Sequence, residues 1–284
     1  MTNNNNNNNN AKILYGLFFA RRLQRRPTTD RKARLLQARK LASREKKQFN
    51  HKNMSGMVTP IKVYYWPMMG RAGACIRMLE HTNTPYEHVS DFPSISQLGS
   101  AWNGTSDTFA PPIIVDNEFK VSQSTAATLY VGNKVGLNDG LDTYKAVQWL
   151  SDIVDLFEGG LGKSIQGGGA ALKVYLEGKG DGNPSRFAKQ RANLNRAIKG
   201  PFFTGDKPTL VDFFLCQHVD WNQERCLNRL QKQTNTDVFA PYLNVVSVYE
   251  GIRNLESYKN SAGRLKTTRP GFESVEEEIF ENYA

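Results

Sequence analysis

Ile61–Arg71 reads IKVYYWPMMGR, a short strand that ends in aromatics, turns through Pro67 and Gly70, and opens into a helix. Ile61, Val63 and Tyr65 share one face at period two, with Lys62, Tyr64 and Trp66 on the other, as suits a strand with helices packed on it. The helix predicted over 71–81 places Ala72, Cys75, Ile76 and Leu79 at i, i+3, i+4, i+7, a stripe to be buried.

A strand that feeds a helix N-terminus makes an anion site, because the first backbone N–H groups point outward with partial positive charge. A tyrosine hydroxyl placed there can donate a hydrogen bond to a thiolate. A free thiol of pKa near 8.5 is only about 3% ionised at pH 7. A hydrogen bond to a charged acceptor, about 1.5–3 kcal/mol, lowers that pKa by roughly one to two units. A thiol near pKa 6.5 is then mostly thiolate at neutral pH. Tyr64, Tyr65 and Trp66 also suit a plain aromatic core strand, and the stretch alone does not choose between the two.

Working outward, 86–89 reads as a second strand and 91–110, rich in Ser, Gly, Asn and Thr, as a surface loop. Pro112-Ile-Ile-Val-Asp116 is an apolar strand with Pro111 before it. Asp116-Asn117-Glu118 is a hairpin turn into Phe119–Ser122. Gln123-Ser124-Thr125-Ala126 then opens a helix through Tyr130 whose first N–H groups are offered to an anion.

After Gly136 the pattern is helical. Apolar residues at 146, 147, 149, 150, 153, 154 and 157 lie on one helix face, with Gly159 and Gly160 predicted to stop it. Helices follow over 170–177, 184–199, 209–230 and 242–258. Thr209-Leu-Val-Asp212 is a capping box, in which Thr209 accepts from the first turn and Asp212 reaches back.

The net charge of +10 on 284 residues is not spread evenly. Residues 1–53 carry 14 Lys and Arg against 2 acids, a surplus of 12, and the remainder holds 23 against 25. An electrostatic case for nucleic acid therefore applies to the arm and not to the folded part. The arm opens with an Asn run at 3–10, low-complexity sequence expected to be disordered. Its short apolar patch at 13–20 and many arginines suit an organelle transit peptide, an anchoring arm, or sequence upstream of a start at Met54 or Met57. The three cysteines, Cys75, Cys216 and Cys226, form no CxxC pair and indicate a reducing compartment. His51, His81, His88 and His218 show no metal-ligand spacing, and no run of 18 apolar residues marks a membrane span.

Taken together in order, Tyr65-Trp66-Pro-Met-Met-Gly70-Arg71, Pro85-Tyr-Glu87, Pro111-Pro112-Ile-Ile-Val-Asp116, Gln123-Ser124 and Phe203-Thr-Gly-Asp-Lys-Pro-Thr-Leu-Val-Asp212 resemble the soluble glutathione transferases. The likeness is to the tyrosine-type mu, pi and sigma classes and covers about 57–275. It implies an α/β thioredoxin-like N-terminal domain over 57–135 and an all-α C-terminal domain over 142–275. Outside these lie the basic extension 1–53 and an acidic tail 276–284. It implies a cytoplasmic homodimer that conjugates glutathione, as co-substrate and with no cofactor or metal, to hydrophobic electrophiles in detoxification; a genuine transit peptide would make it organellar.

Residue by residue, the resemblance makes Tyr65 the catalytic hydroxyl, with Tyr64 as the alternative. Gln123 and Ser124 match the pair that holds the γ-glutamyl end, or else form a simple polar helix start. Arg71 matches a pi-class arginine near that end, or is a solvent-facing first-turn arginine. Trp66, next to the catalytic tyrosine, is implied to bind glutathione. Trp102 matches the tryptophan near the glycyl end, or is a loop residue that covers the core. One of Pro111 and Pro112 matches the cis proline. Cys75, inside the helix, reads as a small core residue rather than a nucleophile. Two departures stand out. The loop 89–110 contains no Lys or Arg for the glycyl carboxylate, and Pro111 has no N–H to offer if Pro112 is the cis residue. They leave a second implied reading, a non-catalytic binding or structural subunit with a decayed glutathione site.

Overall fold

The computed structural model describes residues 59–261, save residue 236 and the side chains of 225, 226, 229, 233 and 234. The basic arm 1–53, the candidate starts Met54 and Met57, the Cys226 side chain, the segment 262–275 and the acidic tail lie outside the described residues.

Alternating burial makes β1, Ile61–Tyr64, a strand with a wet and a dry face: Ile61 and Val63 are buried, Lys62 and Tyr64 half-buried. A 3-10 turn at Gly70–Ala72 leads into α1, Gly73–His81, whose predicted stripe is buried together with Ala74 and Met78. β2, Tyr86–Val89, runs parallel to β1 with α1 as the crossover. β3, Ile113–Asp116, and β4, Phe119–Ser122, form a hairpin turned by Asn117 at φ 55, an angle Asn tolerates. β3 pairs antiparallel with β1, so the sheet order is β2-β1-β3-β4. α4, Ser124–Lys134, follows β4 directly.

The segment 91–110 is not the irregular loop expected. It holds two short helices, α2, Phe92–Leu98, and α3, Ser100–Asn103. Asp91 caps α2 by accepting from the Ser94 N–H at 2.9 Å, with a proline in the first turn. Only Ile95 of α2 is buried, so no apolar period announces it.

The remainder is helical: α5, Thr143–Val154; α6, Lys163–Gln166; α7, Gly169–Glu177; α8, Arg186–Ala197; α9, Leu210–Asn222; α10, Asn228–Thr234; α11, Leu243–Arg253; α12, Glu256–Ser261. Gly159 and Gly160 do not end α5. The chain continues through them as a π-helix, Asp155–Gly162, into α6. A second π-helical turn, Gln223–Leu227, joins α9 to α10. α9 is the central helix, buried along nearly its whole length, and it packs on α1, α5 and α11.

At the start of α9 the Asp212 carboxylate reaches back as expected, to the Thr209 N–H at 2.7 Å and the Phe203 N–H at 2.8 Å. The Thr209 hydroxyl also donates to that carboxylate, at 2.7 Å. Burial lifts the Asp212 carboxyl from 3.8 to about 6 against the pull of these donors. A carboxyl raised on folding binds more protons in the native state, so its contribution to stability falls as pH climbs from about 4 to about 6 and is level above that. Asp212→Asn turns an amide donor toward the buried Thr209 N–H and should cost about 1–3 kcal/mol in urea unfolding at neutral pH. An unchanged midpoint would remove this anchor from the fold.

Candidate active site

The sheet register brings the candidate residues to one edge. Tyr64 pairs with Ile113, and Ile113 with Ser122, so β1, β3 and β4 line up in a row at the C-terminal end of β1. One step beyond that row stand Tyr65, Pro112 and Gln123. Neighbouring strands are about 4.8 Å apart, which sets the β1 and β4 ends roughly 10 Å from each other.

Tyr65 is 4% exposed. Its oxygen accepts a hydrogen bond from the Arg71 N–H at 2.9 Å. Among the described residues, the hydroxyl's own proton has no acceptor. Gly70, at φ +38, is held to glycine on two counts: a Cβ there would lie 2.6 Å from the Tyr65 Oη, and the backbone angle disfavours side chains. Burial raises the Tyr65 pKa, the Arg71 N–H and charge pull it down, and Glu158 adds a smaller push upward. The phenol is therefore protonated at neutral pH, which makes it a donor and not a base. His88 contacts the Tyr65 carbonyl at 3.1 Å through Nε2.

At the far end of the row Gln123 is exposed and Ser124 buried. Gln123 adopts φ 74, ψ 131 and its side chain makes no cap bond to α4. A non-glycine residue in such a conformation costs on the order of 1–3 kcal/mol and persists where its surroundings over-determine it, a pattern concentrated at ligand clamps. The cis bond joins Pro111 to Pro112, so the residue before the cis proline is itself a proline with no N–H.

Trp66, Phe92 and Trp102 form an aromatic cluster beside Tyr65. Trp66 stacks on Phe92 with ring centres 6.1 Å apart, and Trp102 meets both edge-on at 6.0 and 5.9 Å. Arg71 is half-exposed but paired: its guanidinium meets Glu158 on the first π-helix and lies 6.0 Å from the Trp221 ring centre. Glu158 in turn faces the buried His218 at 3.3 Å. Cys75 is buried and its thiol is pushed up to about 12 by burial, which leaves it inert as a nucleophile. Among the described residues no group of His, Cys, Asp and Glu is placed to hold a metal ion, and no helix is long and apolar enough to cross a membrane.

No family model matches the chain. Its sequence is 25% identical over 232 residues to mouse glutathione S-transferase Mu 6, covering 74% of this chain and 92% of that protein. It is 24% identical over 238 residues to human glutathione S-transferase Mu 1, covering 76% and 97%. By sequence the chain is similar to mu-class glutathione S-transferases. Its fold is that of the glutathione transferases, a thioredoxin-like part followed by an all-helical part. A pi-class glutathione S-transferase of Onchocerca volvulus superposes with a TM-score of 0.56 at 16% identity, covering 75% of this chain and 99% of that one. A rat hPGDS complexed with a quinoline gives 0.53 at 14%, covering 74% and 99%.

The residues that sequence reading passed over come from the helical part, from α1 and, with Phe92, from α2. Glu158 pairs with Arg71 and His218 with Glu158, and Gln217 and Asp220 of α9 hold Arg77 of α1. A signal for the α9 pair exists: Gln217 and Asp220 interrupt an apolar run in Leu210–Val219 and beyond, and a buried polar side chain demands a partner.

Proposed function

We propose that the protein conjugates reduced glutathione to hydrophobic electrophiles, with the Tyr65 hydroxyl donating to the glutathione sulfur and holding it as a thiolate. Gln123, Ser124 and the first N–H groups of α4 take the γ-glutamyl carboxylate. Pro111 and Pro112 flank the tripeptide between these two ends, Trp66 adjoins the sulfur, Trp102 stands near the glycyl end, and the electrophile lies against the helical part. The reaction is nucleophilic addition or substitution by the bound sulfur, and the phenol acts electrostatically, forming no covalent bond.

The observation that carries this reading is the register. Tyr65 and the Gln123-Ser124 pair stand roughly 10 Å apart at one sheet edge, and the bonds from the γ-glutamyl carboxylate to the cysteinyl sulfur span about 10 Å when extended. Arg71 keeps the part implied by the resemblance, near the γ-glutamyl end. Its guanidinium is also paired with Glu158 of the helical part. A homodimer belongs to the same reading, and the exposed Phe92, Phe109 and Phe119 supply apolar surface for a second copy. We divide the molecule at 57–135 and 142–275 and place it in the cytoplasm.

The second reading, a binding or structural subunit, is favoured by one observation: 89–110 offers no Lys or Arg to the glycyl carboxylate. Calorimetric titration with glutathione separates the two. Micromolar binding is expected, weakened about tenfold in Ser124→Ala through loss of a charge-assisted hydrogen bond. Absent or millimolar binding by the unmodified protein would hand the case to the structural reading.

A further inference from the structure

The peptide group between Gly70 and Arg71 is held at both ends. Its N–H donates to the Tyr65 oxygen at 2.9 Å. Its carbonyl accepts from Gln217 Nε2, on α9 of the helical part, at 3.0 Å. Gln217 is 1% exposed, and the orientation of its amide is fixed from the other side. Its Oε1 accepts from Arg77 Nε at 2.9 Å, and that nitrogen can only donate. Arg77 is itself held by Asp220 at 2.7 Å and lies 4.1 Å from the Tyr258 ring centre. Asp220 also accepts from the Tyr249 and Tyr258 hydroxyls, at 2.8 and 2.6 Å. α1 can approach α9 this closely because Gly73 has no side chain: a Cβ there would lie 2.2 Å from the Gln217 amide.

We propose that Gln217 is a positioning residue for Tyr65: from the helical part it fixes the Gly70–Arg71 peptide so that the Arg71 N–H stays on the phenol oxygen and leaves the hydroxyl proton for the ligand sulfur. This rests on Tyr65 being the thiol-activating group. A peptide whose carbonyl is already bonded is a stronger donor through its N–H, and a phenol oxygen that accepts such a bond is in turn a stronger donor through its O–H. The chain of groups thus runs from Asp220 through Arg77, Gln217 and one peptide to Tyr65. Two further charges face the phenol, Arg71 from the 3-10 turn and Glu158 from the π-helix.

Two variants test it. Gln217→Glu keeps the size and the acceptor for Arg77 but has no donor for the Gly70 carbonyl; Gln217→Met removes both bonds without adding charge. In each, the pKa of the bound glutathione thiol, read from thiolate ultraviolet absorbance against pH, should rise by about 0.5 unit, the fraction expected of an indirect hydrogen bond. Glutathione affinity at low pH, where the thiol is neutral, should change less than about threefold. A thiol pKa that stays at the unmodified value in both folded variants would overturn the role of Gln217. Tyr65→Phe on the same titration separates the two claims: if it leaves the thiol pKa in place, the Tyr65 reading is what fails. If it moves the thiol and the Gln217 variants do not, only the positioning role fails. One readout needs no variant, since the Arg71 amide of the unmodified protein should exchange slowly with solvent deuterium, and rapid exchange would contradict the proposal.

Discussion

Replacing Tyr65 with phenylalanine should lower kcat/KM for conjugation of a standard electrophile about 10- to 50-fold near neutral pH, with glutathione still bound. The size follows from ionisation: removing a hydrogen bond worth about 1.5–3 kcal/mol returns the thiol from near 6.5 toward its free value of about 8.5, and the thiolate fraction at pH 7 falls from most of the population to about 3%. The sign of the pH dependence is fixed by the same step. The deficit is greatest at and below neutral pH and shrinks as pH passes the free thiol value, because the bulk solution then supplies the thiolate. Phenylalanine also leaves the Arg71 N–H without its acceptor, a cost of about 1 kcal/mol in stability that does not vary with electrophile. A steady-state pH profile of both proteins checks this, and a variant with full activity at pH 7 would remove Tyr65 from the chemistry.

Arg77→Met should be the most damaging single change to the fold outside the apolar core. Arg77 is 6% exposed and joins α1 to α9 through Asp220 and Gln217. Among the described residues, removing it leaves the buried Asp220 carboxylate with only the tyrosine hydroxyls and Gln217 with no donor at Oε1. Losing one partner of such a pair costs on the order of 3–5 kcal/mol, since the surviving charge stays desolvated. Burial, followed by that carboxylate, already pushes the Tyr249 phenol well above its ordinary range. Arg77→Met combined with Asp220→Leu should recover part of the loss, because no lone charge is then left behind. Urea unfolding of the single and double variants measures both effects. A cost below about 1 kcal/mol for Arg77→Met would show that the network contributes little.

The residues that sequence reading placed well act locally. Alternation in IKVYY gives β1, Asn117 turns the β3-β4 hairpin, and Asp212 reaches back across one turn of α9; each needs only neighbours within a few positions. The helices α2 and α3 escaped notice because Ile95 is their only buried residue, and a stripe of one has no period. Gly159 and Gly160 misled in the opposite direction. Their freedom permits a left-handed stop, yet Gly160 is packed tightly enough that a Cβ would sit 2.1 Å from the Tyr175 oxygen, so the helix runs on as a π-helix.

The site divides in the same way. Tyr65, the proline pair and Gln123-Ser124 are contiguous motifs, and pairing of short strands brings them to one edge. Gln217 sits 147 residues from the Gly70 carbonyl it holds, and Arg77 sits 143 from Asp220. Only packing reveals those contacts, because nothing in the local pattern says which buried polar group another will meet. Arg71 shows the converse: its place in the motif was legible, but its partner Glu158 depended on how a π-helical turn directs one side chain.

The most direct test is the ultraviolet pH titration of glutathione bound to the unmodified protein. A phenol within donor reach of the sulfur gives a bound thiol pKa near 6.5, about two units below the free value. A thiol that titrates near 8.5 while glutathione occupies the site would show that Tyr65 does not reach the sulfur.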